Sequence, residues 1–139
     1  MDAGRHGVPA CEPGHEDALT DGVIRIRPGE TLCVSLDATG DSVTPKAIVP
    51  AGDPASLLVL RFWQEPGSSQ MFLSVHSPLA DDLRYKAFMV RSGSLRQEYT
   101  SSCPVLSHRF GIENWPFAIS ELRITGLVAL RGARHMECR

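Results

Sequence analysis

Apolar residues recur at every second position in short runs from Val23 to Leu130, and Pro and Gly cut these runs at near-regular intervals. A period of two belongs to a strand with one dry face and one wet face, so the pattern predicts antiparallel β-structure. Val23 to Arg27 sets Ile24 and Ile26 against Arg25 and Arg27; Pro28-Gly29 makes a turn, and Thr31 to Leu36 returns with Leu32, Val34 and Leu36 inward. Leu57 to Trp63 is almost continuously apolar, as a central strand covered on both faces would be. Pro66-Gly67-Ser68-Ser69 turns the chain into Gln70 to Val75, with Met71, Leu73 and Val75 on one side. In Glu121 to Leu130, Leu122, Ile124, Val128 and Leu130 share a face, while Arg123, Thr125 and Arg131 take the other.

The remaining segments are shorter or ambiguous. Ala38 to Pro54 is loop-rich, with an edge strand expected at Lys46–Val49. Leu79 to Val90 fits two structures. Ser77-Pro78 followed by Asp81 and Asp82 is helix-start chemistry, whereas Leu83, Tyr85, Ala87 and Met89 alternate with Arg84, Lys86, Phe88 and Val90. The strand is preferred, because Tyr85 and Phe88 suit it and Ser77 to Asp82 then becomes a hairpin connection. Leu95–Tyr99 and Pro104–Leu106 read as short strands, and Gly111–Ile119 as a turn region carrying Trp115-Pro116. Seven to eight short strands in one domain predict an all-β fold, a two-sheet antiparallel sandwich. Residues 1–21 lack periodic apolar content and read as a flexible arm, residues 22–131 as the sandwich, and residues 132–139 as a tail.

Composition narrows the function classes. A chain of 139 residues with 42% hydrophobic content suffices for one core. The net charge of −2 supplies no global field for nucleic acid or an anionic membrane. Ten acids and five bases through Glu65 leave that part at −5 and the remainder at +3, an ordinary solvated surface. No window reaches the roughly 18 apolar residues of a membrane span, and Met1–Pro9 lacks the apolar centre of an export signal.

Met71-Phe72-Leu73-Ser74-Val75-His76-Ser77-Pro78-Leu79, with Leu83-Arg84-Tyr85-Lys86-Ala87, resembles the strand–turn–strand of immunoglobulin-like sandwich domains in bacterial envelope proteins. Thr100-Ser101-Ser102-Cys103-Pro104-Val105 and Glu113-Asn114-Trp115-Pro116 are similar to small uncharacterised proteins of that kind. The resemblance implies an immunoglobulin-like fold and a periplasmic or secreted location. It implies no reaction. Such proteins would have Asn in place of Ser77 and an evident export signal, and this chain departs from both.

Four cysteines stand at positions 11, 33, 103 and 138. Cys33 and Cys103 lie in predicted core segments and are the pair expected to be bridged in an oxidising compartment. Copper is the sharpest alternative. Cys103-Pro104-Val105-Leu106-Ser107-His108 has a C-x4-H spacing that resembles the ligand loop of cupredoxins, with His76 as the second imidazole and Ile112 in the axial place. Thirty-one residues after His108 are too many for that family, so an electron-transfer or metal-carrier protein is the secondary reading. No G-x-S-x-G or H-E-x-x-H motif is present, and no catalytic residue is assigned. A cysteine enzyme using Cys103 with His108 or His76 ranks third.

Trp63 ends an apolar strand and reads as core. Trp115 fits an exposed anchor or a plug closing the sandwich end, the plug being preferred. The expected function is a non-catalytic binding or structural module without cofactor or nucleic acid. It would meet an unknown protein partner, or a second copy through an edge strand, at Lys46, Val49 and the Trp115 loop.

Overall fold

The alternation is realised as ten antiparallel strands in a computed structural model that describes residues 10–107, 109–130 and 137–139. In chain order they are β1 (Leu19–Thr20), β2 (Val23–Ile26), β3 (Thr31–Thr39), β4 (Ser42–Ile48), β5 (Leu58–Gln64), β6 (Met71–His76), β7 (Asp82–Arg91), β8 (Gln97–Thr100), β9 (Phe110–Trp115) and β10 (Ile119–Leu130). One 3-10 turn at Pro54–Ser56 precedes β5, capped by Asp53, whose carboxylate accepts from the Ala55 N–H at 3.0 Å.

Hydrogen-bonded neighbours divide the strands into two wings. One runs β1-β2-β10-β7-β8 and the other β4-β3-β5-β6-β9; Val128 of β10, opposite Ser42 of β4, joins them. The wings stack on a shared central core. Ile24, Ile26, Leu122, Ile124 and Ala87 come from the first, and Leu32, Val34, Leu60, Phe62 and Leu73 from the second. Of the six side chains that anchor the predicted pattern, Ile24, Leu32, Val34, Leu73 and Ile124 are buried, and Leu36 packs partly buried against them. The contested segment is strand: β7 buries Leu83, Tyr85, Ala87 and Met89 along one face.

β10 departs from the expected pattern. Its register against β7 shifts between Thr125 and Val128, and Gly126 sits there at φ +63°. A glycine in the left-handed region supplies the extra residue of a bulge, and each bulge reverses which face later residues meet. Leu127 and Ala129 therefore point inward, while Val128, expected in the core, is 40% exposed.

Other boundaries move for local reasons. Gly111–Ile119, expected as a turn, is largely strand, because Phe110–Trp115 pairs with β6 from His76↔Phe110 to Met71↔Trp115. Pro104–Leu106 contributes only the bridge Leu83↔Val105. Leu95 is fully exposed ahead of β8. Of residues 1–21, expected as a flexible arm, the described part from residue 10 onward is pinned. The Thr31 N–H donates to Glu12 at 3.1 Å, Ala18 is buried, and Leu19–Thr20 pairs with β2. Among the described residues no helix is long and apolar enough to cross a membrane.

Gly126→Val places a β-branched residue at positive φ, with its Cβ 3.4 Å from Lys86 side-chain carbons. It is expected to lower unfolding stability by about 1–2 kcal/mol, read from the urea midpoint.

Candidate functional site

Every cysteine is in a disulfide, but not in the expected pairing: Cys11 bonds Cys33 and Cys103 bonds Cys138. The alternation on β3 explains the correction. Leu32 and Val34 face the central core, so Cys33 between them faces away. It joins Leu57 and Val59 in a second apolar cluster on the outer face of its wing, where the N-terminal segment covers it and Cys11 reaches it. Cys103, on the connection after β8, is held instead by its N–H donating to Glu113 on β9 at 2.8 Å. Ser102 and Arg139 exchange two backbone hydrogen bonds of 2.8 Å and bring Cys138 alongside.

The bridges bear on the metal and thiol readings. A blue copper ligand and a cysteine nucleophile both need a thiolate. The Cys103 sulfur is bonded to Cys138, so that group is missing from the proposed set. His76 lies on β6 opposite Phe110, and His108 lies outside the described residues.

The expected partner surfaces are dispersed. Trp115 is buried; its ring meets Phe62 edge-on at 6.2 Å, and its Nε1–H donates to Thr100 Oγ1 at 2.9 Å. Its ring fills the gap between β9 and β8, as a plug would, and little of it is open to solvent. Val49 packs partly buried against the second cluster and donates its N–H to the Cys33 carbonyl at 2.8 Å. Lys46 is exposed on β4, which pairs with β3 along its length and with β10 at Ser42, and also approaches β1. Trp63, read as core, lies on the outer face. It stacks on Phe72 at 5.5 Å, and the Arg61 guanidinium lies 4.6 Å from its centroid.

A cluster of polar groups lies on the outer face of β8-β7-β10-β2. Register places Tyr99 opposite Phe88, Phe88 opposite Arg123, and Arg123 opposite Arg25, one row across four strands. Tyr99 and Phe88 meet edge-on at 5.6 Å. Beside the row, Arg123 Nε donates to Glu121 at 2.8 Å and Arg27 Nε at 3.2 Å, while Arg25 Nη1 stays 3.7 Å away. The Arg123 Nη1–H donates to Gln97 at 2.7 Å. Arg25 Nε is buried without a hydrogen-bond partner among the described residues. Asp17 and Thr20 rim the shallow hollow of about 400 Å³ above these groups. Burial alone would push the Glu121 carboxyl up, but hydrogen bonds and charge from Arg123 and Arg27 outweigh it and hold the group below its ordinary value. Arg25, Arg27 and Arg123 against Glu121 and Asp17 leave the lining of the hollow at +1.

Sequence reasoning missed this grouping as a site, although alternation had already put Arg25, Arg27 and Arg123 on wet faces. The missing information was strand order, since β2 and β10 lie about a hundred residues apart in the chain yet are neighbours. Comparison of the chain with protein-family models, curated proteins and solved structures finds no match.

Two carboxyls give opposite pH dependences. Burial raises the Glu113 carboxyl, with the Cys103 N–H opposing it. Its contribution is full below the unfolded pKa and is lost as pH rises through the folded value. Glu121, held low, contributes above its unfolded pKa, and that is lost as pH falls through its folded value. Glu113→Gln is expected to remove a fall in thermal midpoint that sets in as pH rises above the ordinary carboxylate range, and Glu121→Gln part of the fall on acidification.

Unreduced, denatured protein should show no free thiol, and peptide mapping should recover the 11–33 and 103–138 links. Chain-entropy reasoning puts the loss on opening either loop at about 3–4 kcal/mol. A recovered 33–103 peptide would contradict the pairing.

Proposed function

We propose that this chain is a non-catalytic binding module, an immunoglobulin-like sandwich of the bacterial envelope or secreted, that works outside the reducing cytoplasm. Two disulfides, tying segments before β1 and after β10 to the sheets, support the oxidising location. The binding role rests on one observation: the Tyr99–Phe88–Arg123–Arg25 row across the outer face of one wing.

Rings and guanidinium groups on a flat sheet face suit an extended ligand that carries negative charge and some apolar surface. Arg25 is the group such a ligand completes. The Arg25 side chain is 29% exposed and its Nη1 stays 3.7 Å from Glu121, so its outer N–H groups are open to an incoming oxyanion. Glu121 keeps the neighbouring guanidinium groups oriented, as its low pKa leaves it ionised at neutral pH.

The expected outcome is retention on a sulfated-polysaccharide column at low salt and release as salt rises. Binding would fall about tenfold or more in Arg25→Ala/Arg123→Ala, the scale of one lost charge-assisted contact. Because the whole chain is at −2, retention would report this face rather than net charge. Absence of retention, or retention unchanged in the double variant, would reject the proposal.

A further inference from the structure

The wings present open strand edges of different character. β4 carries Pro45 and Lys46, and a bulge between Ser35 and Leu36 interrupts its pairing with β3. Proline, lysine and bulges are the devices by which sheet edges resist pairing. β9 has none of them. Its sequence, Phe110-Gly111-Ile112-Glu113-Asn114-Trp115, contains neither proline nor lysine, and its pairing with β6 is regular throughout. Phe110 and Ile112 are 59% and 55% exposed on the outer face. Beyond β6 and the adjoining Ser77, no described residue pairs with the β9 backbone.

The direction of the free backbone groups follows from the ladder. The Ser77 N–H donates to the Arg109 carbonyl, extending the β6–β9 pairing by one position. In an antiparallel pair, every second residue turns its N–H and C=O toward the partner. The Arg109 carbonyl and the backbone groups of Gly111 and Glu113 therefore face β6, the Arg109 N–H donating instead to the Leu106 carbonyl, and Phe110 and Ile112 direct theirs outward.

We propose that β9 pairs antiparallel with β9 of a second copy of this chain, on a two-fold axis through Gly111. In that register Phe110 of each copy lies opposite Ile112 of the other, and these are residues whose backbone groups point out of the sheet. Each exposed apolar side chain then meets an apolar neighbour on the same face. Arg109 falls opposite Glu113 of the other copy, whose carboxyl also accepts the Cys103 N–H of its own copy, so side chains of opposite sign are brought near each other twice. Gly111 meets Gly111 at the axis, where no side chains collide. Moving the axis to Ile112 would instead set Phe110 against Asn114 and Arg109 against Trp115, losing both matches. A two-fold pairing of this kind closes at two copies.

Sedimentation of the full chain over increasing concentration tests the pairing. The expected result is a shift from 15.2 kDa toward twice that mass, without larger species. Ile112→Lys, at an exposed position, should abolish the shift while leaving the thermal midpoint unchanged. Arg109→Glu should weaken association about tenfold, because symmetry applies the charge conflict twice. Lys46→Glu on the β4 edge should leave association unchanged. A monomer at every concentration up to roughly 1 mM, well beyond the range of a specific interface, overturns the proposal. So does a dimer indifferent to Ile112→Lys, or assembly that continues past two copies.

Discussion

One strand must serve both layers, and the arrangement depends on how β10 does so. Its first half lies between β2 and β7, with Leu122 and Ile124 turned into the core. Its second half reaches β4 of the opposite wing at Val128. An earlier shift between Ile119 and Glu121 sets the even-numbered side chains inward, and strict alternation from Leu122 onward would leave Leu127 and Ala129 in water. The bulge at Gly126 reverses that parity within a single residue and allows the strand to stay buried as it crosses between wings. Lys86, packed against Gly126, lies where a side chain at that position would have to go.

Much of this was legible in the sequence because alternation is a local signal. The inward sets on β2, β3, β6 and β7 follow from polarity at every second position, and the strand at Leu83–Val90 follows from the same rule. Failures arose where one residue broke the period or where partners lay far apart in sequence. Gly126 reads equally well as a small core residue, so nothing local marks Val128 as outward. Cys33 sits between Leu32 and Val34, and alternation taken strictly would have put it on the outer face. Its burial comes from a second cluster that only the folded N-terminal segment creates. The arginine row was out of reach for a different reason: Arg25 and Arg123 become neighbours only when β2 docks on β10.

The two outer faces consequently differ. On the wing containing β3, the N-terminal segment covers Cys33, Leu57 and Val59, and Trp63 is held between Arg61 and Phe72. The His15 ring donates to Glu30 at 2.8 Å, and Glu30 also accepts the Arg27 N–H, so this cover is fastened to the β2–β3 turn. No comparable cover lies over the opposite face among the described residues. There guanidinium groups, a carboxylate and two rings remain partly open to solvent.

The pairing of the sulfurs also sets how the molecule would bear tension. A pull on chain outside Cys11 and Cys138 passes through the first covalent bridge to residue 33, along the backbone to residue 103, and out through the second. β1, β2, β9 and β10 fall within the bypassed loops and carry no load. Stretching could peel β4 to β8 from the sheets, yet the strand that joins the wings would remain slack until a sulfur–sulfur bond was cut.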